Sequence, residues 1–212
     1  RNLSVCSQLG ITVLSIDYRL APEHPYPAAI EDCRAGLEWL HANADLLNIN
    51  RNKIAVGGES AGGGLAASLS QIVSNDGSLR ISSQHLVYPM LDCRTGSGTS
   101  KIDPTVGEYV WTPQKNQFCW SAYLGTSAAK APAVPALADD FADLPPAWIA
   151  VGQLDLFRDE SKYYAELLQA AGVAVKFWII PGAFHGFVAQ RQAAITKYFQ
   201  SEYIDGLRKI VE

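Results

Sequence analysis

The chain has 212 residues, 48% of them hydrophobic and 18% charged, and a net charge of −4 from 17 basic and 21 acidic side chains. That length suits one domain with a core of its own, and the composition excludes a disordered chain. No Lys/Arg run offers an electrostatic footprint for nucleic acid, and no apolar run approaches the ~18 residues of a membrane-spanning helix. The cysteines, Cys6, Cys33, Cys93 and Cys119, stand apart, with no CxxC and no Cys/His cluster at metal-ligand spacing. They read as reduced thiols of an intracellular, cytoplasmic protein without a metal site. The chain begins at Arg1 rather than Met, inside what reads as a helix, so it carries no information about a leader.

Short β-rich runs alternate with longer amphipathic stretches. A strand is expected at Thr12–Ile16 and a helix over Ala28–Leu47, where Ile30, Cys33, Leu37 and Leu40 recur at helical spacing. Strand Ile54–Gly57, helix Ala61–Asn75 and strand His85–Tyr88 follow. Residues 92–146 are rich in Gly, Ser, Pro and aromatics and hold one clear helix, Pro113–Leu124. A long excursion of this kind is commonly a lid or pocket wall. The remainder reads as strand Trp148–Val151, helix Glu160–Ala171 with Gly172 as its stop signal, strand Val175–Ile180 and helix Gln190–Val211. Most strand runs are continuously apolar, as in strands buried on both faces. The alternation predicts a single α/β domain over 1–212, with a mostly parallel sheet and helices on both faces.

The strongest chemical signal is Gly58-Glu59-Ser60-Ala61-Gly62, a G-x-S-x-G at the junction of a strand and a helix. Such a turn must be very tight, which accounts for glycine on both flanks. It presents the Ser60 hydroxyl above the sheet, beside a helix N-terminus that favours developing negative charge. The Ala61 N–H opens into the same space and is the expected oxyanion donor. Gly62-Gly63-Gly64-Leu65-Ala66-Ala67 also fits the loose dinucleotide pattern. That reading fails, because the next strand ends in Val87-Tyr88-Pro89 with no acid, and the glycines fall inside the helix.

A serine nucleophile needs a base, and the base needs an orienting acid. Among the histidines, His41 reads as helix surface, His24 as part of a proline-fixed loop, and His85 as the start of a buried strand. His185 lies in a loop just past the last strand, where α/β folds place catalytic side chains. Asp155 follows the Trp148–Val151 strand, while Asp159 and Glu160 fall in a first helical turn and suit its dipole. The order Ser60, Asp155, His185 is that of the α/β hydrolases.

Tyr18-Arg19-Leu20-Ala21-Pro22-Glu23-His24-Pro25-Tyr26-Pro27-Ala28-Ala29, Gly58-Glu59-Ser60-Ala61-Gly62-Gly63, Asp155 with Arg158-Asp159-Glu160, and Phe184-His185-Gly186-Phe187 resemble the hormone-sensitive-lipase-like family of α/β hydrolases. The resemblance extends over essentially the whole chain. It implies a carboxylic-ester hydrolase without a cofactor, acting on short acyl chains, with Ser60, Asp155 and His185 as its triad. Two departures stand out. The family has Pro after the acid, where this chain has Leu156. The family's His-Gly-Gly-Gly precedes the Tyr18-Arg19 motif by more residues than this chain contains there, so the N-terminal strands and most of the cap are expected to be missing. By the family's topology one absent strand lies between the Thr12 and Ile54 strands, so further polypeptide is expected to complete the sheet.

A serine esterase taking a small-molecule ester is the leading expectation. An amidase or other acyl hydrolase with the same triad, and a non-catalytic ligand receptor on the same fold, are the alternatives. Tyr109, Trp111, Phe118, Trp120, Phe184 and Phe187 are candidate pocket walls. Val173–Ile180 is long and apolar, so if it forms a sheet edge a homodimer through that strand is expected.

Overall fold

The computed structural model describes residues 2–77, 79–98 and 103–211. Its strands, β1 (Ala55–Glu59), β2 (Ser83–Val87), β3 (Ala147–Gly152) and β4 (Val175–Ile180), form one parallel sheet in sequence order. The helices are α1 (Asn2–Leu9), α2 (Ala28–Ala42), α3 (Ala61–Asp76), α4 (Pro113–Leu124), α5 (Arg158–Ala170) and α6 (Ala194–Val211). Parallel neighbours need a crossover on a sheet face, and the register shows how the faces divide. Leu86 pairs with Ile149 and Ile149 with Phe177, and these side chains pack with Ala66 and Ala67 of α3 and Tyr164 and Leu168 of α5. The alternate set, with Val87, Trp148, Ala150 and Trp178, packs with Phe199 of α6. Both faces are therefore covered, which is why the strand sequences are continuously apolar.

α4 and β4 have the expected bounds, and the other shared elements shift by a few residues. α2 stops at Ala42 instead of Leu47: Asn43 caps it, its side chain donating to the Trp39 carbonyl, and residues 43–48 continue as turns, with Asn48 at φ +53°. α6 starts at Ala194 instead of Gln190, because Phe187–Ala189 form a separate 3-10 turn. Gly172 sits just past α5 at φ +82°, as a left-handed helix stop requires. Within 92–146, α4 is joined by a 3-10 turn at Pro135–Leu137, and residues 99–102 lie outside the described residues.

Thr12–Ile16 does not form the expected strand. A strand exists by its ladder, and this segment has no ladder partner among the described residues. It runs irregularly over α2, where the Ile16 side chain lies against Gly36, with Val13 and Leu14 partly open to solvent. The segment that follows is anchored by charge. The Arg19 guanidinium clamps Asp32 of α2 and donates to the Ala28 carbonyl at 3.1 Å.

Candidate active site

The G-x-S-x-G sequence forms the turn between β1 and α3, and Ser60 adopts φ +55°, ψ −120°. A left-handed φ at a side-chain-bearing residue is costly and persists only where the surroundings enforce it. Here three backbone hydrogen bonds do so. The Ser60 N–H donates to the Val87 carbonyl at 3.0 Å, and the Ser60 carbonyl accepts from Gly64 N–H at 3.1 Å and Met90 N–H at 3.0 Å. The glycines divide into needed and permitted. A Cβ on Gly58 would run into the Gly62 backbone, one on Gly64 into the Met90 carbonyl, and one on Gly63 into Pro89 at 2.9 Å. A Cβ on Gly62 would meet nothing, so the expectation that tightness demands glycine on both flanks holds only for Gly58.

Ser60 Oγ lies 2.9 Å from His185 Nε2, and His185 Nδ1 lies 2.9 Å from Asp155 Oδ2. The structure thus brings together the three residues picked from the sequence, which are 30 and 125 positions apart in its two contacts. Asp155 is 0% exposed and His185 5%. The second Asp155 oxygen accepts the Phe157 N–H at 2.9 Å, so the buried carboxylate faces a donor on each side. The two loops that carry these residues are stitched to each other. Leu154 N–H donates to the Ala183 carbonyl and Gln153 N–H to the Ile180 carbonyl, each at 2.9 Å. Gly152 is required at the seam, because a Cβ there would collide with the Ala183 carbonyl.

The competing residues are engaged elsewhere. Asp159 is exposed and pairs with Arg158 at 2.7 Å. Glu160 is buried and accepts Leu91 N–H at 2.7 Å, and burial pushes its carboxyl well above the usual carboxylate range. His24 is exposed, and His41 Nε2 meets the Arg80 carbonyl at 3.0 Å. His85 is a core residue of β2 stacked on Trp148, and burial holds its pKa down at about 4. Leu156, in place of the family's proline, is buried and lies against Gly107.

Ala61 is the first residue of α3, so its N–H belongs to the helix-end donors that lack a helical acceptor. The aromatic candidates separate. Trp111 packs against His185 with ring centroids 5.6 Å apart, and Tyr109 pairs with Phe184 at 6.0 Å. Phe187 and Trp120 are fully enclosed in the core, packed on Phe199 and Tyr123 respectively, while Phe118 is 71% exposed on α4.

Sequence reasoning missed the residues that support the site. Tyr88 takes φ +35°, meets the His185 ring at 4.8 Å, and donates its hydroxyl to Glu59 at 2.6 Å. Phe157 meets the same imidazole at 5.1 Å. Arg158 reaches Asp103 at 2.9 Å, tying the 92–146 excursion to the first turn of α5. The Thr105 hydroxyl and amide, then Arg158, hold the Asp103 carboxyl down at about 2.

Parallel strands, a strained serine elbow and a Ser-His-Asp line together define an α/β hydrolase. A family model described as the alpha/beta hydrolase fold matches residues 2–189. Two Mycobacterium tuberculosis relatives, the esterase LipI and the carboxylesterase NlhH, are each 38% identical to the chain over 178 and 185 residues. Those matches cover 83% of this chain in each case, and 55% and 56% of the relatives. A solved bacterial heroin esterase superposes with a TM-score of 0.90 at 34% identity, over 100% of this chain and 68% of that one. The chain belongs to the hormone-sensitive-lipase-like family of α/β hydrolases, and it spans about half the length of the curated relatives it matches.

Exchanging Gly58 for Ala is expected to destabilise the fold by ~1–3 kcal/mol or more, the range for forcing atoms into packed space. Gly62→Ala, with nothing within 4 Å of the new methyl, should stay within ~1 kcal/mol of the parent. Urea midpoints of the two variants check this, and equal losses would show that the elbow is not limited by the Gly58–Gly62 approach.

Proposed function

We propose that the chain carries the catalytic centre of a serine carboxylic-ester hydrolase acting on small, short-chain acyl esters. The observation that carries this reading is the unbroken line from Ser60 Oγ through His185 to Asp155, with both contacts at 2.9 Å, on an elbow whose strain is enforced by its neighbours. The names of the relatives support it. In the proposed cycle His185 Nε2 takes the Ser60 hydroxyl proton as Oγ bonds to the acyl carbon. Ala61 N–H donates to the resulting oxyanion. Asp155 holds the imidazole in the tautomer that accepts at Nε2 and favours the imidazolium. The ester C–O bond then breaks as His185 returns the proton to the leaving alcohol. Water, deprotonated by His185, releases the acid from Ser60.

In the protein with its sheet completed by the further polypeptide proposed below, Ser60→Ala is expected to abolish turnover of a short-chain nitrophenyl ester and labelling by a fluorophosphonate, without lowering the melting temperature. Asp155→Asn should cut kcat by up to ~10⁴ and Asp159→Asn far less, because only the former holds the wrong histidine tautomer. Persisting Ser60→Ala turnover, or a larger loss at Asp159, would overturn the assignment. Turnover of anilides as fast as esters would favour the amidase reading. No turnover by the protein with its sheet completed, with normal binding of acyl ligands, would favour the receptor.

The sheet's two edges carry the proposed partners. β4 is an edge strand, guarded by the Lys176–Glu202 ion pair, and a homodimer along it is the proposed assembly. Sedimentation at micromolar concentration is expected to show a dimer, and a monomer would refute it. β1 is the other edge of the described sheet, and the exposed Val13 and Leu14 lie in a segment with no ladder partner among the described residues. A further strand beside β1, from additional polypeptide or another chain, is proposed to complete the sheet and to add oxyanion donors. Losing one such donor costs ~10²–10³ in kcat. Residues 1–212 purified alone by exact mass are thus expected to be poorly soluble or nearly inactive, and turnover above ~10 s⁻¹ would refute this.

A further inference from the structure

The segment before α4 contains a strained residue outside the elbow. Val110 has φ +62°, and the Trp111 N–H donates to the Tyr109 carbonyl at 2.7 Å, closing a three-residue γ-turn. With positive φ at its centre this is the rare, strained form of that turn, and a β-branched residue is among the least suited to it. The surroundings hold it in place. Lys115 Nζ donates to the Val110 carbonyl at 2.9 Å, and Thr112 caps α4 immediately afterwards. Backbone strain of this kind concentrates where a side chain must be aimed.

The side chain aimed here is Trp111. Its indole N–H donates to Asn116 Oδ1 at 3.2 Å, and the buried Asn116 donates in turn to the Thr95 carbonyl at 2.8 Å. The ring is thereby fixed against His185. Three rings enclose that imidazole, at centroid distances of 4.8 Å for Tyr88, 5.1 Å for Phe157 and 5.6 Å for Trp111. Tyr88 and Phe157 meet it steeply, at 62° and 90°, whereas the Trp111 ring is tilted by 36°. An indole face within ~6 Å of a cation is the most favourable cation–π arrangement among the aromatic side chains. In the proposed cycle the proton taken from Ser60 places positive charge on the His185 ring, so this contact strengthens as that charge develops on the way to the transition state.

We propose that Trp111 is a positioning residue for the reaction, held by the strained Val110 turn so that its indole ring keeps His185 in line between Asp155 and Ser60 and stabilises the imidazolium formed when Ser60 attacks an ester. The inference rests on the triad reading above. It differs from the role of a pocket wall, which would act through substrate size.

The experiment uses the full-length protein with Trp111→Leu and Trp111→Phe, each checked by thermal melting. The rate of Ser60 labelling by a fluorophosphonate is measured first, then kcat and KM for acetyl, butyryl and hexanoyl nitrophenyl esters. Trp111→Leu is expected to lower kcat and the labelling rate about tenfold, the size of a partly desolvated cation–π contact. The factor is expected to be the same for every acyl length, with little change in KM, and Trp111→Phe is expected to restore most of it. A loss that varies with acyl length and falls on KM would make Trp111 a wall and overturn the proposal, as would full activity in Trp111→Leu or no rescue by Phe in a folded variant. Failure of the wild type to be labelled at Ser60 would overturn the triad reading itself. Normal labelling at Ser60 with no Trp111 effect would overturn only the present inference.

Discussion

The backbone of Ser60 is the constraint on which the rest of the site depends. Its left-handed φ costs on the order of 1–3 kcal/mol and would relax in a free loop. It is retained because the Ser60 N–H and C=O are bonded to Val87, Met90 and Gly64, so relaxing the turn would break the hydrogen bonds that join β2 and α3 to it. The same closeness dictates the neighbouring sequence. Gly58 and Gly64 face backbone atoms with no room for a methyl group, and Gly63 faces Pro89. A motif that looks like a run of flexible residues is therefore a rigid corner, and its glycines report crowding.

The second requirement is a carboxylate that stays buried beside an imidazole. An isolated buried charge is strongly unfavourable, so Asp155 is stable there only with its oxygens occupied, one by Phe157 N–H and one by His185 Nδ1. Removing either partner would leave the carboxylate uncompensated. This explains why the Asp155 and His185 loops are joined by backbone hydrogen bonds at their bases, and why Gly152 lies where they touch. The excursion over 92–146 is attached to the same platform. Gly107 N–H donates to the Leu154 carbonyl at 3.1 Å and Arg158 pairs with Asp103, so the segment bearing Trp111 is referenced to the loop bearing Asp155.

Much of this was legible in the sequence because strand ends, helix starts and glycines are local signals. Ser60, Asp155 and His185 could be picked by their places after continuous apolar runs, and the parallel sheet by the alternation of those runs with helices. The illegible parts are the ones fixed by distant partners. Thr12–Ile16 has strand composition, yet a strand is a property of a pair, and the pairing is not contained in the segment. Aromatic residues announce burial but not its location: Phe187 went to the core against Phe199, whereas Trp111, equally plausible as core, went to the histidine. Tyr88 read as the last residue of a strand, and nothing local marks the +35° turn that carries it under His185. The Arg158–Asp103 bridge spans 55 positions and could not be derived from either end.

The position of the nucleophile in the sheet sets how its geometry is protected. Ser60 follows β1, an edge strand of the described sheet, while Asp155 follows the interior strand β3. The acid is thus surrounded by core, but the hydrogen bonds that fix Ser60 come from the β2 side and from its own helix. Tyr88 reinforces that side by reaching back to Glu59, the residue before the nucleophile, while its ring supports His185. The segment after β2, from Val87 to Met90, therefore does two jobs at once. It holds the elbow in its strained form from one flank, and through Tyr88 it sets the wall against which the imidazole is packed.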